Sequence, residues 1–249
     1  STLMAHAPRN MSFQHIDSED GLSQSNVKAI LQDSYGFMWF GTKNGLNRFD
    51  GQRMMQFNCF DAACQHGNQN ISALFEDRDH ILWVGTDEGV FCYDPKKDTF
   101  TFIHAETPQG EHINTWISAI FQDPEGDIWI CAPSQGVFHY DHEGRLQRIG
   151  GYDGHTAPHY ACITPRGEIY AVSWYADGLY RFDPSRKCFT LIRKDATGEP
   201  LAGLEINTLC PQGDALIMSR QNGNLMKFNT RTQRLEEIPG APDLTHTLT

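Results

Sequence analysis

Apolar and polar residues alternate with a period of two in short runs along most of this chain, and the runs arrive in groups of four. Between Ile71 and Ile103 they read ISALFED, ILWVGT, GVFCYD and FTFI, separated by polar or glycine-bearing turns. β-branched and aromatic residues dominate them and the roughly 3.6-residue helical period is missing, so they predict strands. The group itself recurs at about 44 residues, the size of a four-stranded propeller blade. Trp39, Trp83, Trp129, Tyr170 and Leu216 hold one register of the repeat; Asp50, Asp94, Asp141, Asp183 and Asn229 hold a second, near the end of each unit. The expected architecture is an all-β propeller of four-stranded antiparallel blades. Five blades are expected, over residues 26–58, 70–103, 116–149, 159–192 and 206–238.

The first reversal in a unit follows the pattern D-x-x-G-x-x-W. At Asp33, Gly36 and Trp39, and again at Asp123, Gly126 and Trp129, the carboxylate is expected to accept hydrogen bonds from the turn's own amides. The glycine is expected to take a positive φ. The aromatic residue then enters the second strand, where its ring wedges between neighbouring blades. Units two, four and five depart from the pattern, with His80 in the glycine place, Thr164 in the aspartate place and Leu216 in the aromatic place. Their turns are expected to be less regular.

Ahead of the first unit, FQHI at Phe13–Ile16 matches the outermost-strand pieces FTFI, LQRI, FTLI and LEEI but has no unit of its own. In a closed propeller such a strand completes the last blade and removes two free edges. The fifth unit already owns LEEI, and the chain stops at DLTHTLT, where another innermost strand would begin. The expectation is therefore five blades of a ring of about seven. The alternative is a closed five-bladed ring with a spare strand at its edge.

Charge narrows the function. With 31 acidic against 20 basic residues the 249-residue chain has a formal net charge of −11, which denies it the positive field needed to track a nucleic-acid backbone. No run approaches the ~18 apolar residues of a membrane span, and the opening STLMAHAPRN lacks the basic-then-apolar order of a signal peptide, so a chain that is soluble, or a soluble piece trimmed from a longer one, is expected. The seven cysteines are scattered without a C-x-x-C pair, which signals neither zinc nor redox chemistry. They read as small core residues, with Cys59 and Cys64 the one pair close enough in an apparent loop for a disulfide.

The stretch DGLSQSNVKAILQDSYGFMWFGTKNGLNRFDG, Asp20–Gly51, closely resembles the first repeat of the two-component regulator propeller family, and the likeness runs from Phe13 to Ile238. Such propellers form the extracytoplasmic sensor half of bacterial hybrid two-component systems, ahead of a membrane span, a histidine kinase and a response regulator. Members commonly carry two seven-bladed propellers followed by a β-sandwich, and many sense oligosaccharides. The resemblance thus implies a non-enzymatic periplasmic sensor domain, the opening part of a first propeller. Its implied partners are an oligosaccharide, the remaining blades and downstream domains of the same chain, and a second copy in a homodimeric receptor. No cofactor is implied.

The residues themselves show no catalytic constellation and no metal set. There is no G-x-S-x-G elbow and no glycine-rich phosphate cradle opening a helix. His155 and His159 have a metal-ligand spacing for a helix, which Gly154 and Pro158 argue against. DPEGD at Asp123–Asp127 echoes part of a calcium loop, lacks the later acidic ligand and falls on a hairpin turn. A related aspartate box in sialidase propellers raises carbohydrate processing, over which the turn reading is preferred.

Ligand recognition is expected on the face shared by the loops leaving the outermost strands and the loops joining second to third strands. Sugars are held by aromatic platforms and planar hydrogen-bonding groups, which singles out Trp174, Tyr175 and Trp116 with Asp177, His112, Arg220 and Gln221. Trp116 also reads as opening an innermost strand, and Arg220 as pairing with a neighbouring carboxylate. The leading function is a sensor whose ligand biases a distant kinase through rigid-body change. The second is an architectural or protein–protein module with the ligand bound elsewhere, and an enzyme of the sialidase or lyase type comes third.

Overall fold

The structure, a computed structural model, describes residues 15–150, 158–221 and 223–238. Five four-stranded antiparallel sheets follow one another, each strand paired to its neighbour in sequence. The first comprises β1 (Val27–Gln32), β2 (Met38–Thr42), β3 (Gly45–Phe49) and β4 (Met54–Phe57). A short hairpin of β5 (Phe60–Asp61) and β6 (His66–Gly67) leads to the second sheet, β7 (Ile71–Glu76), β8 (Leu82–Thr86), β9 (Gly89–Asp94) and β10 (Thr99–Phe102). The third holds β11 (Ala119–Gln122), β12 (Ile128–Ala132), β13 (Gly136–Tyr140) and β14 (Leu146–Ile149). The fourth holds β15 (Tyr160–Ile163), β16 (Ile169–Val172), β17 (Leu179–Asp183) and β18 (Cys188–Ile192). The fifth holds β19 (Ile206–Gln212), β20 (Ala215–Arg220), β21 (Leu225–Asn229) and β22 (Arg234–Glu237).

The first strand of each sheet packs beside the first strand of the next, from β1 through β7, β11 and β15 to β19. All five line one axial cavity of about 540 Å³. Sheets radiating from a common axis make this a β-propeller, as the repeat predicts. Of the strand expected at Phe13–Ile16, Phe13 and Gln14 lie outside the described residues, as does DLTHTLT; His15 and Ile16 carry no strand.

The core is divided among the gaps between sheets. Trp39 and Leu46 meet Leu82, Val84, Phe91 and Tyr93 between the first and second sheets. Trp83 and Val90 meet Ile128, Ile130 and Phe138 in the next gap, and Trp129 and Val137 meet Ile169, Tyr180 and Phe189 in the third. Tyr170 and Leu179 meet Leu216, Met218 and Phe228 in the fourth. The rings do wedge between blades, each of the first four sheets pressing one onto the sheet that follows. The glycine of the W-x-G-T run has a packing role here: a Cβ on Gly41 would lie 2.6 Å from Ile71 Cγ2, and one on Gly85 would lie 2.7 Å from Ile117 Cβ. These glycines let the entry to the following sheet seat against the backbone.

The aspartate box closes as expected and has one further bond that spacing alone did not suggest. Asp33 Oδ1 accepts the amides of Tyr35 and Phe37 at 3.0 and 2.9 Å, while Oδ2 accepts Trp39 Nε1–H at 2.7 Å. Asp77 and Asp123 hold Trp83 and Trp129 in the same way. The expectation of irregular turns fails in two units. His80 takes φ 64° and the Asp77 turn keeps both amide bonds; Thr164 replaces the carboxylate with a hydroxyl that accepts the Glu168 amide at 3.1 Å.

Only the fifth unit differs, and there the register of Leu216 is corrected. Gln212 pairs with Ala215 around a two-residue turn, where Gln32 and Met38 enclose five residues. The position facing the first strand as Trp39 faces Leu31 is therefore Ile217, opposite Cys210. Leu216 points back into the fourth sheet. Cys59 and Cys64 carry free thiols; burial pushes the Cys59 thiol up to about 12, which leaves it an inert core residue.

Candidate ligand-binding site

The turns joining second to third strands form one rim of the propeller. In the first two sheets a threonine ties each turn tightly. Thr42 Oγ1–H donates to the Gly45 carbonyl at 3.0 Å and accepts the Asn44 amide, and Thr86 does the same with Gly89 and Glu88. Ser173 holds this position in the fourth sheet, but six residues separate the paired Val172 and Leu179 where four separate Gly41 and Leu46. The longer turn projects Trp174 and Tyr175, which are 61% and 66% exposed. Ser173 Oγ–H donates to Asp177 Oδ1 at 2.7 Å and accepts the Tyr175 amide, and the Tyr180 hydroxyl donates to Asp177 Oδ2. Asp177 is thus committed to bracing the turn. Burial, then this bond, push the Tyr180 phenol upward and keep it neutral.

Trp174 is exposed and yet fixed. Its ring stacks on His159 with centroids 3.7 Å apart and planes 15° apart. His159 is buried, and its Nε2–H donates to the Asn207 carbonyl at 2.9 Å. Burial lowers the His159 pKa, so the supporting imidazole is neutral. His155, which shares with it the metal-ligand spacing that the sequence argued against, lies outside the described residues.

The fourth and fifth sheets meet at this rim through the loop ahead of β19. The Gly203 amide donates to the Ala176 carbonyl at 2.5 Å, and the Gln221 amide to the Glu205 carbonyl at 2.9 Å. Arg220 Nε–H donates to the Leu204 carbonyl at 2.9 Å; among the described residues the guanidinium pairs with no carboxylate and instead ties the loop to the β20–β21 turn. Trp174, Tyr175, Asp177, Arg220 and Gln221 therefore belong to one linked surface, with Gln221 exposed.

His112 and Trp116 belong to a second group. His112 is exposed and its carbonyl accepts Gln135 Nε2–H at 2.9 Å. Trp116, 41% exposed, does not open an innermost strand: β11 starts at Ala119, because Ile117 first donates its amide to the Thr86 carbonyl of the preceding sheet at 3.0 Å.

Sequence reasoning weighed His159 only as a metal ligand and missed its place beneath Trp174, a contact that crosses two strands and leaves no local pattern. It also missed a cluster behind the third aspartate box, where His139 Nε2 lies 3.1 Å from Asp127 Oδ2 and 3.7 Å from Asp123 Oδ2. His142 Nδ1 is 3.0 Å from the other Asp127 oxygen. Asp123, Asp127 and His139 each offer one ligand atom close enough together to hold a divalent cation, although Asp123 Oδ2 already accepts Trp129 Nε1–H at 2.8 Å.

A family model described as two component regulator propeller matches residues 21–44, 66–88 and 112–133, each spanning an aspartate-box turn or the entry to one. A histidine kinase P4 of Formosa agariphila is 52% identical over 42 residues, 17% of this chain and 3% of that protein. An extracellular domain assigned to a hybrid two component system of B. thetaiotaomicron superposes with TM-score 0.70 at 20% identity, over 89% of this chain and 31% of that one. A catalytically inactive virginiamycin B lyase from Staphylococcus aureus, crystallised with quinupristin, gives TM-score 0.66 at 15% identity, over 90% of this chain and 74% of the lyase. Both structural likenesses establish the propeller fold, and the chain spans under a third of the length of the B. thetaiotaomicron domain.

Proposed function

We propose that this chain, which carries three repeats of the two-component regulator propeller type, is a non-enzymatic recognition domain of an extracytoplasmic sensor that holds an oligosaccharide on the rim around Trp174. The observation that carries the reading is a large ring kept in water and at the same time held rigid, stacked at 3.7 Å on a buried neutral His159. A flat, pre-positioned aromatic face recovers its exposed apolar area when a sugar ring stacks on it. Gln221 and the turn backbones beside it supply polar groups. In the full-length protein, which we take to be a homodimeric receptor with a histidine kinase behind a membrane span, ligand would bias a rigid-body rearrangement of its ectodomain. No helix among the described residues is long and apolar enough to cross a membrane.

Calorimetric titration of the intact protein with a panel of oligosaccharides tests the reading. A saturable heat is expected, weakened about tenfold or more by Trp174→Ala, a loss of at least about 1.4 kcal/mol. Heat undiminished in both Trp174→Ala and Tyr175→Ala would remove the rim as the site, and release of cleaved sugar would replace a sensor with an enzyme. The architectural reading is favoured by a separate observation. The described residues form five four-stranded sheets but only four cores between them, so two sheet faces are available for other blades or another domain.

A further inference from the structure

The position opposite the blade aromatic on the third strand is Arg48, Cys92, His139 and Arg181 in the first four sheets, and Lys227, opposite Ile217, in the fifth. Three of the four basic residues have an acid from their own sheet: His139 with Asp127 at 3.1 Å, Arg181 with Glu168 at 2.7 Å and Lys227 with Glu236 at 3.2 Å. Asp127 and Glu168 occupy the residue just ahead of the second strand. In the first sheet that residue is Phe37, and its ring lies 4.7 Å from the Arg48 guanidinium carbon instead of offering an oxygen. Trp39 and Phe57 flank the same guanidinium at 5.6 and 5.3 Å. Among the described residues its Nε–H is buried without an acceptor, and Nη2 reaches only Met55 Sδ at 3.3 Å.

Arg48 borders a cavity of about 230 Å³ between the first and second sheets, at the end opposite the Trp174 rim. Tyr35, Trp39, Tyr93 and Pro95 give it apolar walls, and Lys96 adds a second cation. Two resident carboxylates also face it, but each is internally committed. Asp33 accepts two amides and the Trp39 indole; Glu76 accepts the Ser34 amide and hydroxyl at 2.7 Å, with His80 Nδ1 at 3.2 Å. Their charge opposes a dianion such as phosphate. A planar monoanion matches the guanidinium fork and the aromatic walls together.

We infer that this cavity is a binding site for a small aromatic or otherwise apolar carboxylate, whose carboxyl group takes the place on Arg48 that Glu168 takes on Arg181. The site is independent of the oligosaccharide rim and would let one propeller respond to two chemically different ligands.

Benzoate is the probe and benzamide its neutral counterpart, titrated into the intact protein by calorimetry. Benzoate is expected to bind saturably in about the millimolar range or tighter, and benzamide at least about tenfold more weakly. Arg48→Met should abolish benzoate binding. Phe37→Glu supplies the missing carboxylate from within and keeps the pairing seen in the fourth sheet, so it should fold with wild-type circular dichroism and lose benzoate about tenfold or more. Benzamide binding as tightly as benzoate, a folded Phe37→Glu with undiminished affinity, or no saturable benzoate signal up to about 10 mM would each overturn the assignment.

Discussion

At the scale of single residues, the aspartate boxes of Asp33 and Asp77 are three-way hydrogen-bond junctions whose third arm is an indole. Trp83 Nε1–H reaches Asp77 Oδ2 at 2.7 Å while the ring sits buried in the gap to the third sheet. Trp83→Phe keeps most of the packing but leaves a carboxylate oxygen without its donor, which should cost about 1–3 kcal/mol. Trp83→Ala empties the wedge as well and should cost about 3–5 kcal/mol. Denaturant unfolding measures both, and an undiminished stability in Trp83→Phe would show that the indole N–H contributes nothing. The box was legible in the sequence because its bonds span only a few residues. The same local counting put Leu216 in the Trp register, since nothing in the sequence announces that the Gly213–Asp214 turn is shorter. Arg48 was illegible for a related reason. Its lack of a carboxylate becomes visible only once pairing sets Phe37 and Glu168 in equivalent places.

Between elements, carboxylates in the connecting loops lace one sheet to the next. Asp61, in β5, accepts the amide of Phe102 in β10 at 2.8 Å, and Asp195, between β18 and β19, accepts that of Leu235 in β22 at 2.9 Å. Asp195 also accepts the amides of Thr197 and Glu199 and the Thr197 hydroxyl. These amides, Leu235 first for Asp195 and Phe102 first for Asp61, hold both carboxyls below the usual carboxylate range. A depressed folded pKa stabilises the fold above the unfolded value of about 3.9 and loses that contribution as pH falls through the folded value. Asp195→Ala should therefore lower the melting temperature at pH 7, and its gap from wild type should narrow below about pH 4. A gap that stayed constant down to about pH 2 would exclude ionisation as its source. At this scale the strand pattern and turn order were readable from period-two alternation, as was the long fourth turn with its two aromatics. The lacing was not, because Asp195 and Leu235 lie 40 positions apart.

For the whole molecule, the decisive asymmetry is that five four-stranded sheets share four cores among the described residues. Val84, Ile130, Ala171 and Met218 are wholly buried against the preceding sheet. Their counterpart in the first sheet, Phe40, is only half-buried, and Ile30 beside it is 61% exposed. On the far side of the fifth sheet Ile217, Cys210 and Lys227 replace the aromatic wedge, and Lys227 is bridged to Glu236. The repeat made five units legible, but sequence periodicity treats every unit alike and cannot say which faces lack a neighbour. Local opening free energy follows buried apolar contact, so the second, third and fourth sheets, packed on both sides, should open last. Amide hydrogen exchange is expected to be slowest in β8, β12 and β16, and measurably faster in β2 and β20, although all five are second strands with two hydrogen-bonded neighbours. Uniform protection across these five strands would mean that the outer faces of the first and fifth sheets are covered. The propeller would then be a closed body, and the architectural reading would lose its main support.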